Sequence, residues 1–157
     1  MTSRLLTSQG ELDAAVDRML ALAGETIDIF DFDLGALSLD KTSRIDQLQR
    51  VLGERAHRLR IVVQDGSRLT ARAPRLMRLF EMHGHHFILQ QAPDSLSELR
   101  DTMMIVDGRH ALVRFHRDQP RGKVIEDDAT EVHPYAMRFS DIMNEGGHPL
   151  SPRVAGL

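Results

Sequence analysis

Cysteine is absent from this chain of 157 residues, which excludes disulfides, thiolate catalysis and Cys-ligated zinc and suits a reducing compartment. No apolar run approaches the roughly 18 residues that a membrane span requires. The opening Met1-Thr-Ser-Arg-Leu-Leu-Thr-Ser is too short and polar for a secretory leader, whose apolar stretch runs to about 7–15 residues. The expected location is therefore the cytoplasm, with no membrane partner. A basic field is missing as well: 20 Lys and Arg against 23 Asp and Glu leave a net charge of −3, which gives nucleic acid no global attraction and argues against it as a partner. There is no P-loop, dinucleotide-binding glycine motif or Gly-x-Ser-x-Gly elbow, and Ser and His fall into no triad spacing. No cofactor is expected.

What remains is an ordinary globular composition, 41% hydrophobic and 27% charged, of a length that fits one domain over residues 1–157. The core is expected over about 11–146, with Pro- and Gly-interrupted 147–157 as a frayed tail. Ser8 to Gly24 reads as an amphipathic helix, with Ser8 and Glu11 placed as a capping box. Thr26 to Phe32 has the period of a strand. Leu39 to Ala56 gives a second helix with Ile45, Leu48, Val51 and Leu52 on one face and Asp40 or Thr42 as cap. A buried strand, Leu59 to Gln64, follows, then a third helix from Leu69 to His83 and a strand from Phe87 to Gln90. After a polar loop come two β-rich runs, Met103–Val106 and Ala111–Phe115, a short strand at 122–125 and a last helix within 129–144, which accommodates Pro134 only if it begins near His133. Helices alternating with strands predict an α/β fold, a mixed β-sheet flanked by helices.

Three clusters invite a chemical reading. Asp28, Asp31 and Asp33 gather at the end of a strand, where carboxylates either line a cleft or cap loop backbone; the capping reading is favoured. Arg68, Arg72, Arg75 and Arg78 make a basic stripe, read as a solvated helix face that also suits an anion near a helix N-terminus. His83, His85 and His86 suggest zinc, but adjacent strand residues point to opposite faces and no His-Glu-x-x-His pattern or Cys accompanies them, so no metal site is expected.

The organising stretch is Leu99 to Arg117, LRDTMMIVDGRHALVRFHR, in which Asp107-Gly108 is turn chemistry between two strands. Arg114 faces away from Val113 and Phe115, as a cation on the exposed face of an edge strand. This stretch resembles the phospholipase D superfamily, whose signature is His-x-Lys-x-x-x-x-Asp, then Gly, a strand and Gly-Ser-x-Asn. Asp107 and Gly108 match it. Arg100 and Thr102 stand where the signature has His and Lys, and Arg114, Phe115 and Arg117 where it has Gly, Ser and Asn. More narrowly, the chain is similar to a bacterial family of phospholipase D-like half-domains lacking the motif, over roughly Glu11 to Gly146.

The resemblance implies a phospholipase D-like sandwich. In that family the His attacks phosphorus while Lys and Asn neutralise oxyanion charge. A guanidinium has no lone pair to offer as a nucleophile, so the resemblance carries the scaffold and not the reaction. The expected function is a non-catalytic binding or interaction module, with Arg100, Arg114, His116 and Arg117 holding an anionic small molecule or protein group and Asp107 and Gly108 as the motif remnant. The alternative is a phosphodiesterase or nuclease with a displaced nucleophile, His110 or His116 with Asp107. Because catalytic members bring two motif copies together, the resemblance also implies a homodimer around Arg100 to Arg117, with Asp101, Asp118 or 126–128 opposite the arginines.

Overall fold

The computed structural model describes residues 2–151. Eight strands form one sheet: β1 (Thr2–Leu6), β2 (Thr26–Asp31), β3 (Arg58–Val63), β4 (Phe87–Gln91), β5 (Thr102–Val106), β6 (His110–Arg114), β7 (Gly122–Glu126) and β8 (His148–Pro149). Their order is β1-β7-β6-β5-β2-β3-β4-β8. β2, β3 and β4 run parallel, joined by helical crossovers, and the remaining pairs are antiparallel. The helices are α1 (Gln9–Leu22), α2 (Thr42–Leu52), α3 (Leu69–Arg72), α4 (Pro74–Met82) and α5 (Ala129–Asn144).

Strand alternation sorts the core into two layers. Ile27, Ile29, Ile61, Met104, Val106 and Leu112 pack with α1, α2, α3 and α4, whereas Phe30, Val62, Met103, Ile105 and Val113 pack with Val132, Phe139 and Ile142 of α5. The mixed sheet flanked by helices is the expected fold. The α1 capping box forms, with the Glu11 amide donating to Ser8 Oγ at 3.1 Å and the Thr7 amide to Glu11 Oε1 at 3.2 Å.

Several expectations are corrected. Thr2–Leu6 is an edge strand on β7, and His148–Pro149 adds to β4 with the Leu150 amide donating to the Leu89 carbonyl, so both the core and its ordered end extend beyond 11–146. Of the expected frayed tail, residues 152–157 lie outside the described residues. The third helix is broken at Ala73, because Pro74 disfavours helical backbone in the residue before it and starts α4. Asp40 caps α4, accepting from the Leu76 amide at 2.9 Å. α5 begins at Ala129 with Pro134 inside it; Pro134 and Thr130 are exposed, so the hydrogen bond that the missing N–H would have made is lost on the solvent side of the helix, where its cost is smallest. On α2 the buried stripe is Arg44, Leu48, Val51 and Leu52, with Ile45 only half-buried. β6 lies inside the sheet, and Arg114 is 4% exposed.

The β5–β6 turn has both Asp107 (φ 55°) and Gly108 (φ 66°) left-handed, the requirement of the primed hairpin turn. The Asp107 carboxylate reaches across to the start of β2, accepting from the amides of Gly24 (2.9 Å), Glu25 (2.7 Å) and Thr26 (2.9 Å). Partial burial pushes its pKa up, but these three donors outweigh it and hold the carboxyl below its usual range. Its contribution is present above the unfolded-state value and is lost as pH falls through the lower folded one. Asp107→Ala is expected to lower stability by about 2 kcal/mol, or Tm by about 4–8 °C, and to weaken the acid-side fall in stability, as thermal denaturation between pH 2 and 6 would read.

Candidate functional site

The end of the sheet where β2 finishes and β5 begins carries a polar row across three neighbouring strands. Phe30 pairs with Met103 and Thr102 with Arg114, so Asp31, Thr102 and Arg114 stand side by side on one face. All three are buried. The Thr102 hydroxyl donates to Asp31 Oδ1, and the Leu34 amide, at a left-handed residue (φ 69°), donates to Asp31 Oδ2 at 2.8 Å. Asp31 thus caps the loop after β2 and also lines a cleft of about 340 Å³ bounded by Phe32, Asp33, Arg114, Arg117 and Asp118.

Arg114 is the unbalanced member. One guanidinium nitrogen donates to the Arg117 carbonyl, while its Nε is buried and has no partner. Among the described residues no carboxylate forms an ion pair with it within 4.0 Å. The acids around it are engaged or remote in solvent: Asp31 as above, Asp33 with the Gly35 amide (2.9 Å) and Arg72 (3.7 Å), and Asp118 with its side chain 76% exposed.

Arg117 lies over the Phe32 ring, its guanidinium carbon 3.9 Å from the centroid, a cation–π contact. This pair is the wall shared with a smaller cleft of about 160 Å³ that Gln64, Pro93, Ser97 and Arg100 complete. Arg100 donates to the Ser97 carbonyl at 2.6 Å and the Leu99 carbonyl at 3.1 Å.

Of the expected anion-binding residues, Arg114, Arg117 and Arg100 therefore converge on two adjoining clefts. His116 does not line either one; its ring Nδ1 accepts from the Asp118 amide at 3.1 Å. His110 begins β6 at the opposite end of that strand and accepts from the Asp127 amide at 2.9 Å, so it and the Asp107 clamp are remote from the row. Asp28 points to the other face of the sheet, where it takes Arg60 in a bidentate pair at 2.8 and 2.9 Å. Of the carboxylates expected to oppose a second copy, Asp101 holds Arg138, Glu126 holds Arg18, Asp127 holds Arg109, and Asp128 caps α5; Asp118 stays at the surface. Phe32 and Gln64 carry no sequence signal, and for Asp31 the structure shows both alternatives, the favoured cap and the cleft lining.

A larger cleft of about 470 Å³ separates the loop after β2 from α3 and α4, but there Arg72 is paired with Asp33 and Arg75 with Asp40. Among the described residues no group of three His, Asp or Glu is arranged to hold a metal, and no helix is long and apolar enough to cross a membrane.

Residues 8–148 match the family described as Domain of unknown function (DUF7931). The chain belongs to that family. No curated protein sequence matches it, but solved structures do. Nuc from Salmonella typhimurium, a phospholipase D family member, superposes with a TM-score of 0.66 at 13% identity, over 96% of this chain and 98% of Nuc. TrmBL2, an archaeal chromatin protein with a novel mode of DNA binding, gives 0.69 at 15% identity over 94% of this chain and 54% of its own. Phosphatidylserine synthase of Haemophilus influenzae gives 0.63 at 11% over 95% and 39%. At these identities the likeness is one of fold, and this DUF7931 domain has the phospholipase D-like fold.

Proposed function

We propose that this DUF7931 domain is a non-catalytic phospholipase D-like module that binds an anionic ligand in the cleft of Arg114 and Arg117. One observation carries the reading: Arg114, 4% exposed, lines a cleft while its buried Nε has no partner. A desolvated cation without a counter-charge is unfavourable by several kcal/mol. Phosphate or carboxylate offers that counter-charge in the fork geometry an Arg prefers. Arg100, aligned with the nucleophilic His of the resembled signature, donates from one guanidinium nitrogen to its own loop and offers no nucleophile, which supports a site that holds rather than cleaves. A second copy of the chain sharing the same anion belongs to this proposal, with Asp118 and the anion as counter-charges between arginines.

Inorganic phosphate is the first probe. At about 100 times its Kd it should add roughly 2.7 kcal/mol to the unfolding free energy, seen as a rise in Tm that Arg114→Met abolishes and His116→Ala leaves in place. Light scattering across phosphate concentrations reads the association. No effect of phosphate or carboxylates on Tm, or reproducible phosphodiester turnover lost in His110→Ala or His116→Ala, would overturn the reading.

A further inference from the structure

A second orphan atom stands on the other side of the Phe32–Arg117 wall. The Gln64 side-chain amide donates to the Leu96 carbonyl at 3.1 Å and to the Leu99 carbonyl at 2.9 Å. Those two carbonyls fix which end of the amide is nitrogen, since the reverse would set oxygen against oxygen. Its Oε1 is buried and has no partner. An acceptor left so loses the hydrogen bond it made to water and gains nothing in return. The smaller cleft that Gln64 lines is of mixed polarity, with Ala92 and Pro93 beside Asp94, Ser97 and Arg100.

The residues of the two adjoining clefts thus carry opposite demands on either side of the shared Phe32–Arg117 wall: an unmet donor at Arg114 Nε and an unmet acceptor at Gln64 Oε1. Bulk phosphate answers the first and cannot answer the second from the same position. We infer that the ligand is a two-part organic anion, an acidic group at Arg114 joined to a small organic portion that passes the Phe32–Arg117 pair and donates a hydrogen bond to Gln64. The smaller cleft, about 160 Å³, limits that portion to a few non-hydrogen atoms, the size of a short polyol or a hydroxyalkyl chain. This inference rests on the anion reading above and adds the identity of its second half.

Two phosphomonoesters of equal charge and similar length separate the halves: glycerol 3-phosphate, whose hydroxyls donate, and n-propyl phosphate, which lacks them. Calorimetric titration of the whole chain should show glycerol 3-phosphate binding about tenfold more tightly, the worth of one buried hydrogen bond. In Gln64→Leu the ratio should fall to about one while inorganic phosphate binds as in the native chain. Because Gln64 also ties down the 93–99 loop, a failure of that variant to fold leaves the decision with the two esters on the unmodified protein. Equal affinities for the esters, with phosphate binding still dependent on Arg114, would overturn this inference alone. Absence of binding by phosphate and by both esters would overturn the anion reading and this inference with it.

Discussion

Arg44→Ala should lower the unfolding free energy by about 3–5 kcal/mol, a fall in Tm on the order of 6–20 °C for a domain of this size. Arg44 is 1% exposed and sits in the apolar stripe of α2. Its guanidinium donates to Asp17 at 2.8 Å, to the Leu37 carbonyl at 2.7 Å and to both the carbonyl (3.2 Å) and the side chain (3.3 Å) of Asp13. Truncation strands the buried Leu37 carbonyl and opens a cavity where the stem ran. The carboxylates themselves are 42% and 61% exposed and rehydrate, which keeps the loss below that of a fully buried pair. The bond from Arg44 chiefly holds the Asp17 carboxyl below its usual range, against a smaller opposing effect of burial. Its stabilisation is therefore complete above the unfolded-state pKa and disappears as pH falls through the folded value. Denaturant titrations at pH 7 and pH 3 should differ less in Arg44→Ala than in the native chain. A loss below about 1 kcal/mol, or an unchanged pH difference, would contradict this account.

Arg114→Met should act in the opposite direction, raising stability by about 1–2 kcal/mol in phosphate-free buffer. Methionine fills similar space in the β6 position without a desolvated charge, and among the described residues the side-chain hydrogen bond it forfeits is the one to the carbonyl of half-buried Arg117. Saturating phosphate should erase the difference by stabilising only the native chain. A variant less stable without phosphate would mean that Arg114 is already compensated within the chain and would remove the reason for an external anion.

The reach of sequence reasoning follows how locally each feature is determined. The Ser8–Glu11 cap and the left-handed Asp107-Gly108 turn depend on three or four consecutive residues, and their chemistry was readable. Helix periods placed α1 and α2, but a count of apolar residues chose Ile45 over Arg44, because an Arg on a buried face is explained only by partners on α1 and the loop after β2. β1 was invisible since nothing near Thr2–Leu6 signals a strand; its partner is Gly122–Glu126. The alternation that turned Arg114 away from Val113 was correct, whereas its burial depends on β6 having neighbours on both sides. Gln64 had no legible signal, for an orphaned acceptor exists only after Leu96 and Leu99 have taken the amide's hydrogens.

That first strand bears on the tempo of folding. Thr2 finds Glu126, and β2 finds β5 only after the three helix-forming segments between Leu39 and His83 have been made. Closure of that span joins the parallel β2-β3-β4 unit to the antiparallel β5-β6-β7 unit, which places the domain at the intermediate folding rates of mixed topologies. During synthesis the α1 face must wait, half-covered, until β5, β6 and β7 have left the ribosome to complete the layer beneath it.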